Sequence, residues 1–356
     1  MKSNLLIYGV SGRAGGLISR QAAEAGLPHL AAGRDLAAVL ARADRLLLPH
    51  RVFSLEHLDK VERALGDVAV VLNAAGPFGE TAPRLAEACL RTRTHYLDLA
   101  AEAGEIEAVR HLDRRAREAG VMLMPAVGVA VVPSDALVAR LKRRLPGATR
   151  LRVASEATGG SPRARRLALL RKLGRPGRRR IDGELVAARP AEERLGLDLG
   201  GGPRVAVTDP WRGDLETAYW SNVIPDIDTY AVHPGWIRWA LRTGILPSLA
   251  AWRGSRALLD RLWRQLPGPE EAVPAEGRTR LWVQVEDDTG RRMTARLRGP
   301  EETLFAAHTA LWIARRVLAG SAPVGFQTPA TAYGPDLIDR LEREVPGIEV
   351  AWSADG

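Results

Sequence analysis

Residues 4–8 (NLLIY) form a short, continuous apolar run of the kind buried as a strand. A helical stretch follows over 15–25 and stops at Gly26, a residue suited to a helix C-cap. The same alternation then repeats. Apolar runs at 30–32, 68–72 (VAVVL), 95–99 (HYLDL), 121–124 and 127–132 read as strands, and 36–43, 58–65, 81–91 and 106–119 as helices. Strands and helices at this spacing predict a parallel sheet with helical crossovers. Asp35 stands where the helix over 36–43 needs an N-cap, and Ser134 or Asp135 where one over 136–144 needs it.

The pattern changes beyond residue 150. Residues 151–156, 204–207, 281–286 and 293–297 read as strands, and Asp287-Asp288-Thr289-Gly290 is a turn that makes a hairpin of the last two. Residues 303–318 form a long apolar helix, while 235–246 and 249–266 read as amphipathic helices split by Pro247. Six of the nine tryptophans fall between 211 and 263, with arginines interleaved. Ordinary core with an oligomer interface, a hydrophobic lid over a large apolar substrate, and peripheral membrane contact are the three readings of that region.

At 356 residues, 46% apolar and 26% charged, the chain is long enough for about two domains and has the balance of a globular protein. The single cysteine, Cys89, excludes an internal disulfide, and the seven histidines show no metal-ligand spacing, so no metal is expected. No apolar run reaches the ~20 residues of a membrane span, and the first residues show no secretory signal, so the expected location is cytoplasmic. The net charge of +9 resides in residues 161–180, which hold nine basic residues and no acid; the rest of the chain balances. Without a zinc-finger spacing or an aromatic RNA-binding motif, that run does not predict a nucleic-acid partner. It reads as a solvated helix and loop, or as a docking surface for an acidic partner or anionic substrate.

The first strand runs into Gly9-Val10-Ser11-Gly12-Arg13-Ala14-Gly15. Gly9 permits the tight turn out of the strand, Gly12 lets the backbone approach a pyrophosphate, and Gly15 lets the helix pack close to the sheet. The helix start then presents free N–H groups and a positive dipole end to phosphates. This strand–loop–helix arrangement predicts a Rossmann dinucleotide site. The fold class expected is therefore α/β, an N-terminal Rossmann parallel sheet with a second α+β domain. The second strand ends in Gly33-Arg34, where an NAD-selective domain carries an acid for the ribose 2′-hydroxyl. Arg34 can pair with a 2′-phosphate, which favours NADP(H) over NAD(H); helix capping or a solvent-facing position is the alternative. Asn73-Ala74-Ala75-Gly76-Pro77-Phe78 follows the 68–72 strand, and small residues there leave room for a ribose.

No Tyr is followed four residues later by Lys, no HExxH occurs and no GxSxG occurs, which excludes several hydrolase and dehydrogenase chemistries. Tyr96, Asp98 and Asp135 are the candidate catalytic groups. Tyr96 and Asp98 alternate along one strand and so face one side, near the edge where ligands bind. A buried structural bond for Tyr96, a loop cap for Asp98 and a helix cap for Asp135 are the competing readings.

These blocks together resemble the saccharopine dehydrogenase-like oxidoreductases. The likeness rests on Gly9–Gly15, Ala32-Gly33-Arg34, Asn73–Phe78, Thr94-His95-Tyr96-Leu97-Asp98-Leu99, Met124-Pro125-Ala126-Val127-Gly128, Pro133-Ser134-Asp135, Gln327-Thr328-Pro329-Ala330 and Tyr333-Gly334. It looks most like the branch that includes trans-acting enoyl reductases. The chain departs from the pattern at Ala101, where the family often has Gly, and at Ala130, where it often has an acid. The resemblance implies a Rossmann domain of residues 1–133 plus 320–356, the C-terminal segment returning to it, and an α+β substrate and dimerisation domain of 134–319. It implies cofactor contacts from Gly9, Ser11, Gly12, Arg13, Ala14, Gly15, Arg34, Asn73, Ala74, Ala75 and Gly76, with Pro77 and Phe78 flanking the nicotinamide. The activity it implies is NADPH-dependent hydride transfer to an activated C=C or C=N bond of a metabolite or acyl substrate, in a homodimer, with an acidic acyl-carrier protein as a further partner. Saccharopine-type reductive amination, and a non-catalytic nucleotide-binding or membrane-associated interaction protein, are the alternatives.

Overall fold

The structure, a computed structural model, describes residues 2, 4–159, 169, 172, 173, 175–244 and 277–355. They form two compact units, Met1–Ala136 with Thr303–Leu341, and Leu137–Glu302 with Glu342–Gly356.

In the first unit, strands β1 (Asn4–Tyr8), β2 (His29–Gly33), β3 (His50–Val52), β4 (Val68–Asn73), β5 (His95–Asp98) and β6 (Met122–Met124) alternate with helices. These are α1 (Arg13–Glu24), α2 (Leu36–Leu46), α3 (Leu58–Ala64), α4 (Phe78–Thr92), α5 (Ala103–Arg110) and α6 (Asp113–Ala119). A short strand from the far end of the chain, β15 (Gly325–Phe326), completes a sheet ordered β15-β6-β5-β4-β1-β2-β3, with every pair parallel. From β1 the chain runs one way through β2 and β3, and the other way through β4, β5 and β6. The order therefore reverses between β1 and β4, the switch point at whose carboxyl ends open α/β sheets take their ligands.

Local chemistry explains most of these elements. The strands are buried apolar runs, as in β1 and β4. Asp35 caps α2, accepting a hydrogen bond from the Ala38 N–H at 2.9 Å. The helix expected over 106–119 is instead two helices, broken at His111 and Leu112. Beyond the break, the Asp113 carboxylate accepts from the Phe326 N–H of β15 at 2.6 Å. Residues 127–131 form no strand. They are a buried segment that leads into α7 (Val132–Arg144). Pro133 is tolerated there because the first helical turn has no N–H to lose from the ladder.

The second unit is built on a nine-stranded mixed sheet. Its strands are β7 (Ala148–Thr158), β8 (Arg178–Ile181), β9 (Glu184–Ala187), β10 (Arg194–Asp198), β11 (Pro203–Thr208), β12 (Asp226–Ala231), β13 (Arg278–Asp287), β14 (Arg292–Gly299) and β16 (Glu349–Asp355). Helices α8 (Asp214–Asn222) and α9 (Gly235–Arg242) lie between them in sequence. β13 and β14 form the expected hairpin, with Asp287 accepting from the Thr289 and Arg291 N–H groups in the turn. The last helices are α10 (Glu302–Leu318), α11 (Pro329–Tyr333) and α12 (Leu337–Glu344).

The units divide the chain differently from the boundaries drawn on the sequence. Most of α10 belongs with the first unit, where Phe305, Ala307, Ala310 and Ile313 are buried. The final strand β16 belongs to the second, because it pairs along its whole length with β14. An apolar helix and an edge strand can each complete either of two cores, and their own patterns do not say which.

Lys172, Arg179 and Arg180 of the basic run make ion pairs within the second unit. Lys172 faces Asp209 at 3.6 Å, Arg179 pairs with Glu193 and Asp228, and buried Arg180 pairs with Glu216. Residues 161–168, 170, 171 and 174 of that run, and the helix expected over 249–266 with Trp252 and Trp263, lie outside the described residues. Trp211 is buried, whereas Trp220, Trp236 and Trp239 are 46%, 57% and 62% exposed, which separates core from surface in the tryptophan-rich region. Among the described residues, no helix is long and apolar enough to cross a membrane.

Candidate functional site

The site grows out of the turn between β1 and α1. The Gly9 N–H donates to Ala32 O at 2.8 Å, and the Gly12 N–H donates back to Gly9 O at 3.0 Å. Gly9 has φ +96°, and a Cβ there would lie 2.8 Å from both Cβ and N of Ala75. A Cβ on Gly15 would fall against the carbonyl oxygen of Gly9 and 3.2 Å from the Ala74 Cβ. These two glycines are therefore where the 9–15 loop meets the loop after β4, and only a missing side chain permits that approach. α1 starts after Gly12 with no side-chain cap. The N–H groups of the first turn of α1, from Arg13 to Gly15, sit at the positive end of the helix. Ser11 and Gly12 are exposed and Arg13 and Ala14 half-buried, so this end of the helix is open to an anion.

Arg34, at the end of β2, is exposed. No hydrogen bond or ion pair joins it to another described residue, while its neighbour Asp35 is spent on capping α2.

The loop after β4 is held from beneath. The Asn73 side chain is fully buried. Its Oδ1 accepts from the Ala75 N–H at 3.0 Å, and its Nδ2 donates to Thr81 Oγ1 and to Tyr96 Oη, both at 3.1 Å. Thr81 donates to Ala75 O at 2.7 Å, closing the turn. Above this anchor Gly76 is exposed, while Ala74, Ala75, Pro77 and Phe78 are half-buried, so the loop presents backbone and small side chains.

Tyr96 and Asp98 do lie on one side of β5, as their alternation requires. Tyr96 Oη donates to Asp98 Oδ2 at 2.8 Å, and both side chains are wholly buried. Asp98 Oδ1 also accepts from the N–H groups of Ala100 and Ala126, each at 2.8 Å. Burial pushes the Asp98 carboxyl up to about 6, against the pull of those bonds, and nearby Glu105 adds to the rise. Burial, and then the Asp98 charge, hold the Tyr96 hydroxyl well above its ordinary range.

Asp135 stands apart from this pair. It lies inside the first turn of α7, not at a cap before it, and its Oδ2 accepts from the Ala330 N–H at the start of α11, at 2.8 Å. Ser134 donates to Val131 O. The cap reading fails because the helix begins at Val132, four residues before the position that the sequence suggested. Two contributors escaped the sequence reading. Thr81 carried no signal beyond its place near a helix start, and Ala126, with φ +60°, stood in a block shared with the resembled family but without a role assigned to it.

The raised Asp98 carboxyl makes a checkable statement about stability. Between an ordinary carboxylate pKa and about pH 6, the native chain binds a proton here that the unfolded chain does not. The contribution of Asp98 to stability therefore falls as pH rises through that window, by about 3 kcal/mol. His29 and His95, pushed below their ordinary values by burial, act in the opposite sense as pH falls. The readout is thus the difference in unfolding free energy between wild type and Asp98→Asn, which is expected to shift against wild type from pH 4 to pH 7. A difference that stays flat with pH would show that Asp98 titrates like an exposed carboxylate.

Residues 7–124 match the family model of the saccharopine dehydrogenase NADP binding domain. Among solved structures, the chain is similar to apo histidine-tagged saccharopine dehydrogenase (L-Glu forming) from Saccharomyces cerevisiae, with 14% identity, 99% of this chain and 100% of that chain covered, and a TM-score of 0.68. At that identity the likeness is one of fold. It is also similar to GenD2 from gentamicin A biosynthesis in complex with NAD, at 15% identity over 99% of this chain and 96% of that chain, but a TM-score of 0.45 carries no argument. No curated protein sequence matches the chain.

Proposed function

From a chain whose residues 7–124 form an NADP-binding domain of the saccharopine dehydrogenase type, we propose an NADPH-dependent reductase that delivers hydride to an activated C=C or C=N bond. The observation that carries this reading is the cradle at Gly9 and Gly15, which side chains would fill, set beside the open end of α1. NADP(H), when bound, supplies the hydride. The rest is positioning by this chain's own groups. The N–H groups of Arg13, Ala14 and Gly15 hold a pyrophosphate at the helix start, with Ser11 and Gly12 beside it. Exposed Arg34, which makes no ion pair with another described residue, holds a 2′-phosphate by charge-assisted hydrogen bonds. Ala74, Ala75, Gly76, Pro77 and Phe78 flank the ribose and nicotinamide and keep water from one side of the ring. The second unit, in this reading, supplies the substrate pocket and the dimer contact.

The test combines binding with turnover. NADPH and NADH are titrated into the protein, following nicotinamide emission. NADPH oxidation is then followed with α,β-unsaturated thioesters, and separately with an amine plus a keto acid. Tight NADPH binding with oxidation by the thioesters alone supports enoyl reduction. Oxidation that needs amine and keto acid together replaces it with reductive amination. NADPH binding without oxidation in either arm points to a nucleotide-binding interaction protein, and no binding of either nucleotide overturns the reading altogether.

A further inference from the structure

Tyr96, Asp98 and Asn73 looked like groups that touch substrate or cofactor, yet all three side chains are fully buried and fully bonded. We propose that they are positioning residues, a hydrogen-bond chain that ties the cofactor loop 74–78 to segment 125–131 at the foot of α7. This rests on the cofactor reading above for the identity of the loop's ligand.

The chain has a fixed direction. The Ala75 N–H must meet an acceptor, so Asn73 points Oδ1 at it and Nδ2 at Tyr96. Tyr96 Oη accepts that bond and spends its one proton on Asp98 Oδ2. Asp98 Oδ1 gathers the Ala100 and Ala126 N–H groups, and its own carbonyl accepts from the Val127 N–H at 2.7 Å. Ala126 is thus gripped on both sides in a left-handed conformation that a residue with a Cβ rarely adopts. From Gly128, whose carbonyl accepts the Val131 and Val132 N–H groups, the backbone passes directly into α7. That helix runs from the first unit into the second, the boundary falling after Ala136. Each loop leaves a different strand, and a loop has few contacts of its own to set its height above the sheet. Beside the backbone pairing of β4 with β5, where the Leu99 N–H donates to Asn73 O, the Tyr96 hydroxyl is the joint that links the side chains of Asn73 and Asp98 among the described residues, so the 74–78 loop is held at a level set by segment 125–131. A buried network of this kind rigidifies only when every member is satisfied, as here.

Tyr96→Phe removes the joint and keeps the ring. In the nucleotide-free protein, amide exchange at Ala75 and Ala126 is expected to rise about tenfold, the effect of one lost hydrogen bond, while Ile7 and Val39 stay protected. The NADPH dissociation constant is expected to rise by about the same factor. Asp98→Asn is the second variant. Its remaining oxygen still serves Ala100 and Ala126, so exchange is expected to rise at Ala75 alone. Unchanged exchange at Ala75, or a uniform rise that includes Ile7 and Val39, would overturn the proposal. So would lost turnover with unchanged exchange and NADPH affinity, which would make Tyr96 a catalytic residue. If wild type binds no NADPH, the functional reading fails while the exchange arms still decide whether the chain positions the loop.

Discussion

Gly15→Ala is expected to cost at least a hundredfold in NADPH affinity and to lower stability by about 1–3 kcal/mol, the usual penalty for forcing a methyl into filled space. The added Cβ would collide with the Gly9 carbonyl oxygen and press on Ala74. Neither can yield cheaply. Gly9 is held through its N–H by Ala32 O, and its oxygen already accepts from Gly12. Ala74 is held by its N–H bond to Tyr8 O. Relief must come from the 9–12 turn swinging away, which displaces the helix start that faces the phosphates. The control is Gly104→Ala, on helix α5, where a Cβ meets nothing within 4 Å. That change is expected to be neutral, or to stabilise by up to about 1 kcal/mol from helix propensity. Isothermal titration with NADPH and a melting curve for both variants check the pair. Wild-type affinity in Gly15→Ala would mean that the 9–15 loop does not hold the nucleotide.

Arg34→Ala is expected to weaken NADPH binding by about 10- to 100-fold and to leave NADH binding unchanged, so that the preference between them disappears. The range is that of a lost hydrogen-bonded charge pair. The side chain is exposed and makes no hydrogen bond or ion pair with another described residue, so its removal should leave the melting temperature unchanged. Raised salt should narrow the wild-type preference, because an exposed charge pair is screened. Arg34→Lys should recover part of the preference but not all, since an ammonium keeps the charge and loses the planar fork. A NADPH-to-NADH affinity ratio that survives Arg34→Ala would place the selectivity elsewhere.

The glycine turn and the cap of α2 were legible because their determinants are local. Gly9, Gly12 and Gly15 act within one turn, and Asp35 caps a helix whose Ala38 N–H lies three residues on. The alternation of Tyr96 and Asp98 correctly put both on one side of β5, since side chains in a strand repeat every two residues. What that periodicity could not convey was their partners. Asn73 and Ala126 meet these side chains only when β4, β5 and β6 stand side by side. A polar side chain near a strand end reads alike in sequence whether it faces a ligand or two backbone N–H groups.

The misread elements share a cause. β3 (His50-Arg51-Val52) carries no apolar run because an edge strand needs little burial, and its pairing with β2, His50 to Ala31, Arg51 to Ala32 and Val52 to Gly33, makes it a strand. β15 is two residues long and exists through its bonds to β6. Asp135 read as a helix cap, yet its carboxylate serves Ala330, 195 residues away. By itself the sequence determined the alternating strands and helices, the parallel sheet, and the glycine turn between β1 and α1. Each follows from steric and hydrogen-bonding rules acting over a few residues. Only the tertiary structure decided that β16 completes the second sheet, that α10 packs with the first unit, and that Asn73, Tyr96 and Asp98 bond to one another. Those outcomes join residues far apart in the chain, and a distant partner leaves no mark on the local pattern.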